Sequence, residues 1–432
     1  MERFELDIED ENSLKYLASK KISSIKKYIF TFLKWIVVAG VTGLIGGIVG
    51  TLFHISVEYV TKVRVRNDFI ILFLPVGGLV IAKLYKICNM SNDPGTNLVI
   101  SSVRTEEKVP FAMAPLIFIS TVITHLFGGS AGREGAALQL GGSIGTQIGN
   151  LFRLNKKDMH IVTMCGMSAV FSALFGTPLT ATFFSMEVVS IGIIYYSSFI
   201  PCIVAALTAY KISLLFAVKP VRYTIESIPA LDGAVAVKVI ILGVLCAVIS
   251  ILFCESLHKT NKFLADHVKN NYIKVIIGGM LVVALTFLCG SRDYNGAGVE
   301  VIAKAINGQA VSYAFLLKII FTTLTISFGY KGGEIVPTFF IGATFGCTAA
   351  GILGLDPGFG AAIGVAALFC GVTNSLITSI VLSIELFGSQ GLVLFALACG
   401  VSYMLSGYYS LYGTQKIVYS KLRAEYVNRN AK

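Results

Sequence analysis

The chain has 432 residues, of which 55% are hydrophobic and 14% charged, with a mean hydropathy of +0.77 and 43 glycines. A soluble domain carries about a quarter charged residues, so this composition predicts an integral membrane protein. It excludes a cytosolic enzyme, a nucleic-acid binder and a secreted disulfide scaffold as first readings. The formal net charge of +11 comes from 35 Lys and Arg against 24 Asp and Glu, and it suits an anionic leaflet without any need for nucleic acid.

Seven basic residues lie between Arg3 and Lys34, and Lys416, Lys421, Arg423, Arg429 and Lys432 follow the last apolar run. The positive-inside rule then predicts cytoplasmic termini and an even number of crossings, in the cell (plasma) membrane. Glu5 and Asp10 sit among the N-terminal bases, and the first apolar run, Trp35 to Ile55, is too long for a signal-peptide core. It therefore reads as a retained membrane helix.

In chain order, a polar cytoplasmic arm over 1–32 suggests a surface helix. Apolar segments follow near 35–57, 68–87, 110–128, 136–151, 159–175, 178–194 and 195–217, forming a first transmembrane repeat over 33–218. A polar linker over 219–232 leads to a second series near 233–255, 273–290, 313–329, 335–354, 358–371, 374–388 and 390–409. The second repeat with a last helix occupies 233–425, and 426–432 is a cytoplasmic tail. Several segments are shorter than the roughly 20 residues of a span and are interrupted by Gly or Pro, which predicts re-entrant or broken helices. The nine cysteines include no C-x-x-C pair and read as small packing residues.

Two landmarks recur. Gly129-Ser-Ala-Gly-Arg-Glu134-Gly opens one small-residue segment and Tyr330-Lys-Gly-Gly-Glu334-Ile-Val-Pro opens another, with the glutamates 200 residues apart. Cys165-Gly166 precedes a segment ending at Glu187, and Cys370-Gly371 one ending at Glu385. The spacing between the two glutamates is 53 residues in the first half and 51 in the second, which predicts an internal duplication of inverted topology.

Glu134 stands where a glycine-serine turn meets an uncharged helix. Unpaired N–H groups and the positive end of the dipole attract an anion at such an N-terminus. A carboxylate there can fill the anion's own place and leaves most readily once protonated. Desolvation favours its protonated form, while the helix end and Arg133 favour the ionised one, so one side chain can couple proton movement to anion movement.

These residues resemble the CLC chloride channels and proton-coupled anion antiporters over roughly 35–425. Gly132-Arg133-Glu134-Gly135 is similar to the family's Gly-Lys/Arg-Glu-Gly signature, Gly332-Gly333-Glu334-Ile335-Val336-Pro337 to its Gly-Gly-x-x-x-Pro signature, and Gly176-Thr177-Pro178-Leu179 through Glu187 to the helix after the first signature. The resemblance implies an all-α polytopic fold of two inverted repeats and a likeness to a homodimer with one anion pathway per subunit. It implies that Glu134 is the gating glutamate, with Arg133, Gly135 and the Ile335 N–H at the anion. It also places Tyr412, at the start of an expected last helix, with its hydroxyl toward the anion.

Departures from the family pattern narrow the reading. Where chloride-handling members carry Gly-Ser-Gly-Ile-Pro, this chain has Gly95-Thr96-Asn97-Leu98-Val99, and the usual inner relay glutamate is Val188. Glu334 stands where an apolar residue is usual. These features resemble the family's bacterial fluoride/proton antiporters. Fluoride is small and strongly hydrated, so its dehydration must be offset by donors such as Thr96 and Asn97.

The sequence thus predicts fluoride export against protons, with Glu334 as a second proton-linked glutamate. A chloride/proton antiporter and a passive anion channel are the alternatives. No enzyme, cofactor or metal site is expected. G-x-S-x-G occurs at Gly128 and Gly141 without strand-to-helix context, the five histidines show no H-E-x-x-H spacing, with His125 expected as a packed residue, and there is no Walker A motif. With only a short stretch after Tyr412, nucleotide-sensing cytoplasmic domains are not expected.

Overall fold

Residues 2–105 and 107–432 are described by a computed structural model, without side chains for 2–15, 17 and 18. Met1 and the side chains of Arg3, Glu5 and Asp10 in the expected arm lie outside the described residues. Among the described residues, eight α-helices make the first half: α1 (Glu2–Arg66), α2 (Leu74–Ile87), α3 (Thr96–Ser102), α4 (Met113–Leu126), α5 (Glu134–Leu151), α6 (Lys156–Phe175), α7 (Pro178–Glu187) and α8 (Phe199–Leu215). Eight more follow in matching order: α9 (Gly233–His267), α10 (Asn271–Cys289), α11 (Val299–Ile306), α12 (Ala314–Ser327), α13 (Ile335–Leu353), α14 (Pro357–Thr373), α15 (Leu376–Phe387) and α16 (Leu392–Leu405). Among the described residues, seven helices are long and apolar enough to cross a membrane, beside several shorter apolar ones. Exposed Leu44, Ile48, Val80, Ile240, Leu252 and Val393 present the surface that lipid requires.

Local chemistry sets the helix starts. Asn155, Asp232, Asn270 and Asp356 accept the N–H of residues two or three positions on, and Pro178 and Pro357 occupy first-turn positions where no donor is lost. Buried hydroxyls within helices return to the preceding turn, as Thr42 does to Val38 O at 2.7 Å and Thr344 to Phe340 O at 2.8 Å. These two hydroxyls are thereby satisfied within their own helices.

The two halves are built alike at their cores. A Cβ on Gly166 of α6 would strike the Gly141 carbonyl of α5, and one on Gly364 of α14 would strike the Gly342 carbonyl of α13. Small residues let these backbones touch, which is the packing that membrane helices favour.

The last helix of each hydrophobic hairpin also hands a carboxylate to the other half. Glu187, ending α7, accepts from Ile377 N at 3.0 Å, Thr378 N at 2.9 Å and Thr378 Oγ1 at 2.6 Å. Glu385, in α15, accepts from Leu179 N at 3.0 Å and Thr180 N at 2.8 Å. Each carboxylate therefore caps the N-terminus of the other's helix, and the exchange reflects the inverted repeat.

Three expectations are corrected. The arm is not a separate surface helix: α1 is continuous from Glu2 to Arg66, because no Gly or Pro occurs before Gly40 to end it. The segment after Tyr412, expected as the last helix, instead forms strands β2 (Lys416–Tyr419) and β3 (Tyr426–Asn430). These join β1 (Ser190–Ile191) in one small sheet, β1 and β2 parallel, β2 and β3 antiparallel. The β-branched and aromatic run Lys416-Ile-Val-Tyr favours a pleated edge over a helix, and the expected tail over 426–432 contains the paired strand Tyr426–Asn430.

The repeat register is the third. Gly132 and Gly333 exchange both N–H···O bonds, at 2.6 and 2.8 Å, and α5 and α13 start two residues after them. Glu134 therefore matches Ile335, and Glu334 matches Arg133, so the two glutamates are neighbours in space without being repeat equivalents.

Glu385→Ala would leave the Leu179 and Thr180 donors open. It should cost about 1–3 kcal/mol, read as a lower thermal midpoint in detergent, with Glu385→Gln recovering part of it. An unchanged midpoint in both variants would remove the cap from the account.

Candidate anion and proton site

The Gly132–Gly333 bridge brings the N-termini of α5 and α13 face to face. Glu134 lies between them with no solvent exposure. Its Oε2 accepts from Arg133 N at 2.9 Å and from Val336 N, in the first turn of α13, at 3.4 Å. The Arg133 Nε stands 3.6 Å from Oε1, which accepts no hydrogen bond from the described residues. The carboxylate thus sits where two helix dipoles converge beside a guanidinium, the place an inorganic anion would take.

The third wall is α3, which begins at Thr96 after Gly95, whose φ of +64° is a conformation suited to glycine. Thr96 is buried; its Oγ1 donates to Gly135 O at 3.3 Å and accepts from Gln139 Nε2 at 3.0 Å. Gly135 is crowded: a Cβ there would lie 2.9 Å from Glu334 Oε2, 3.1 Å from Gly333 Cα and 3.5 Å from Thr96 Oγ1. Glu334, the N-cap residue of α13, leaves that Oε2 buried and unbonded among the described residues. Ile335 is fully buried and supplies the first helical position of α13.

Tyr412 is buried with an unbonded hydroxyl, within electrostatic range of both glutamates. The turn that carries it is tied down by Leu411 N to Val372 O at 2.9 Å and by Asn374 Nδ2 to Tyr409 O at 2.9 Å. Asn97 braces the same turn. Its Oδ1 accepts from Thr414 N at 3.2 Å and Thr414 Oγ1 at 3.0 Å. Of the two residues proposed at this wall, Thr96 therefore faces the glutamates' neighbourhood, while the Asn97 amide oxygen serves the Tyr412 turn.

A cavity of about 720 Å³ reaches this cradle from the face where α1 ends. Arg133 and Val336, which both hold Glu134, line it with Lys62, Arg64, Arg66 and Arg292. Glu58, Asp68, Asp293 and Glu300 line it too, Lys62 pairing with Glu58 at 2.6 Å and Arg292 with Asp68 at 2.8 Å, so the cavity is of mixed charge and Arg133 is the cation that touches the cradle. His125, beside the cavity, places Nε2 3.3 Å from Gly132 O, as expected for a packed residue. Val188 is buried and apolar, so no carboxylate stands there.

Sequence reasoning did not single out Gln139, Val336 or Thr414. Gln139 had a visible signal, as a polar side chain inside a small-residue helix. Val336 acts through its backbone and Thr414 through a long-range contact, neither of which residue type reveals.

The family model described as voltage gated chloride channel matches residues 77–407. A chloride/fluoride channel protein of Pseudomonas syringae pv. tomato is 34% identical over 395 residues, covering 90% of this chain and 87% of the relative. The H(+)/Cl(-) exchange transporter ClcA of Vibrio campbellii is 24% identical over 393 residues, covering 82% of each. The crystal structure of a CLC-type fluoride/proton antiporter superposes with a TM-score of 0.86 at 33% identity, covering 90% of this chain and 99% of the other. A slow cyanobacterial Cl-/H+ antiporter shares the fold, with a TM-score of 0.74 at 20% identity over 86% of this chain and 94% of that one.

If the Glu134 carboxylate fills an anion's place, Glu134→Gln should bind added halide more tightly than the native chain. The gain should reach about 1.4 kcal/mol of extra stability once the anion exceeds its Kd about tenfold, read as a larger anion-dependent rise in thermal midpoint. Equal rises in both proteins would show that the carboxylate does not compete with the anion.

Proposed function

The chain belongs to the voltage gated chloride channel family, and from that premise we propose that it exports fluoride from the cell in exchange for protons. It acts in the plasma membrane as a homodimer with one pathway per subunit and both termini cytoplasmic. The observation that carries this reading is the Glu134 carboxylate held jointly by Arg133 N and Val336 N. An acid lodged in an anion cradle links proton and anion by mutual exclusion: ionised it fills the cradle, protonated it gives the place up.

The cradle's remaining donors suit a small, strongly hydrated anion. With Glu134 displaced, the N–H groups at the starts of α5 and α13, the Thr96 hydroxyl and the Tyr412 hydroxyl can each direct a hydrogen toward it. Hydrogen bonds to a charged acceptor are about twice as strong as neutral ones, and fluoride gains most from them because it loses most on dehydration. The likeness to a chloride/fluoride channel protein and to a fluoride/proton antiporter supports the same anion. Chloride exchange is the second reading, supported by the likeness to the ClcA transporter.

Glu334 supports proton coupling from the other side of Gly135. Its unbonded oxygen lies next to the cradle, and two carboxylates within mutual electrostatic range favour sharing one proton over both being ionised. A proton can then rest on Glu334 while the anion occupies the cradle.

In liposomes loaded with fluoride, Glu134→Gln should lose proton uptake by about 100-fold or more, because a neutral amide cannot alternate between charged and protonated forms. Unchanged proton uptake would sink the mechanism. Glu334→Gln should lower both proton coupling and fluoride turnover by about tenfold; if both stayed intact, the second glutamate would have no part in transport.

A further inference from the structure

Beside Glu334, on the face where α2 ends, side chains from three elements gather without closing on one another. Tyr85, in the last turn of α2, is buried, and its hydroxyl has no hydrogen-bond partner among the described residues. Lys331, three residues before Glu334, lays its ammonium 4.3 Å over the Tyr85 ring. Among the described residues that ammonium has no hydrogen-bond acceptor and no ion pair, although Asp93 and Glu334 both act on it electrostatically. Asp93 lies in the loop between α2 and α3, where one oxygen accepts from Gly95 N at 3.1 Å and the other, Oδ2, is buried and unbonded. Lys274 of α10 is the further charged neighbour of Lys331.

One ammonium thus stands between two carboxylates, each with a free buried oxygen. A buried carboxylate oxygen left without a donor is costly, so a purely structural cluster would close the Asp93 Oδ2 and Glu334 Oε2 atoms onto the half-buried lysine. The loop that carries Asp93 belongs to the same face as the start of α10, since Asn271 Nδ2 donates to Ser91 O at 3.2 Å. That is the face opposite the 720 Å³ cavity, where Asp68 and Arg292 pair at 2.8 Å. The cluster therefore lies on the side of the second glutamate that faces away from the 720 Å³ cavity.

We propose that Asp93 and Lys331 carry protons between Glu334 and the cytoplasm, taking the place of the carboxylate absent at Val188. This rests on the proton-coupled reading of Glu134 and Glu334. The Lys331 ammonium first gives a proton to the Asp93 carboxylate, one N–H bond breaking as an O–H bond forms, and Asp93 releases it to cytoplasmic water. The Lys331 amine then takes the proton held by Glu334, restoring the ammonium and the Glu334 carboxylate. Glu334 is recharged from protonated Glu134. Transfer across a gap longer than a hydrogen bond requires an intervening water, and Tyr85 holds the lysine in line through its ring.

The test compares the native chain with Lys331→Arg, Lys331→Met and Asp93→Asn in fluoride-loaded liposomes, recording fluoride efflux and internal pH together. Arginine keeps the positive charge over Tyr85 but does not release a proton in the working range, which separates proton carriage from charge. The route predicts that protons moved per fluoride fall about tenfold or more in all three variants, each eluting in detergent like the native protein. An unchanged ratio in Asp93→Asn, or full coupling in Lys331→Arg with loss only in Lys331→Met, would overturn it. A native chain that moves fluoride without protons would instead overturn the antiport reading on which the route rests.

Discussion

Two helix N-termini pointed at each other across a membrane interior repel electrostatically, and the rest of this structure depends on how that is resolved. The bridge between Gly132 and Gly333 fixes α5 and α13 at close range, and a negative charge between them is then stabilising rather than optional. The chain supplies one itself in Glu134, so the resting cradle is filled without an ion. In the proposed function any anion that enters replaces this carboxylate, and that exchange turns a binding site into an exchanger.

The inverted repeat makes such an arrangement reachable. Each half contributes one re-entrant helix to the cradle and one glutamate to the opposite half, Glu187 capping α15 and Glu385 capping α7. The halves diverge where function needs asymmetry. At matching positions beside the bridge one half has Arg133 and the other Glu334, so the cradle has a cationic rim toward the large cavity and an acidic one toward the Lys331 cluster. Anion and proton are thereby offered different neighbours on their way to a common point. The Glu134→Gln comparisons probe that common point alone.

Much of the fold was legible because its cause is local. Composition announced the membrane, glycine-interrupted segments announced broken helices, and the two signatures located the cradle and Glu134. The 200-residue spacing of Glu134 and Glu334 misled by one position, since only the backbone bridge reveals which residues are equivalent. The short helix α3 was invisible to hydropathy, being too brief to show a period, so the choice between Thr96 and Asn97 needed a structure. The tail after Tyr412 lacks any apolar helical stripe, and its β-branched and aromatic run suits strands, which a likeness to relatives does not reveal. The Lys331 cluster is assembled from α2, the loop after it and the segment before α13, and no spacing along the chain announces it.

The central claim is that proton and anion movements are obligatorily linked through Glu134. The most direct measurement places the native protein in liposomes with equal fluoride on both sides, imposes a pH gradient and follows fluoride with an electrode while membrane potential is clamped at zero. The account predicts that fluoride accumulates against its own gradient on the acidic side, with little movement of chloride in a parallel experiment. Fluoride that remains at equal concentrations despite the pH gradient, while still equilibrating freely when unequal, would mark a passive channel and contradict the account.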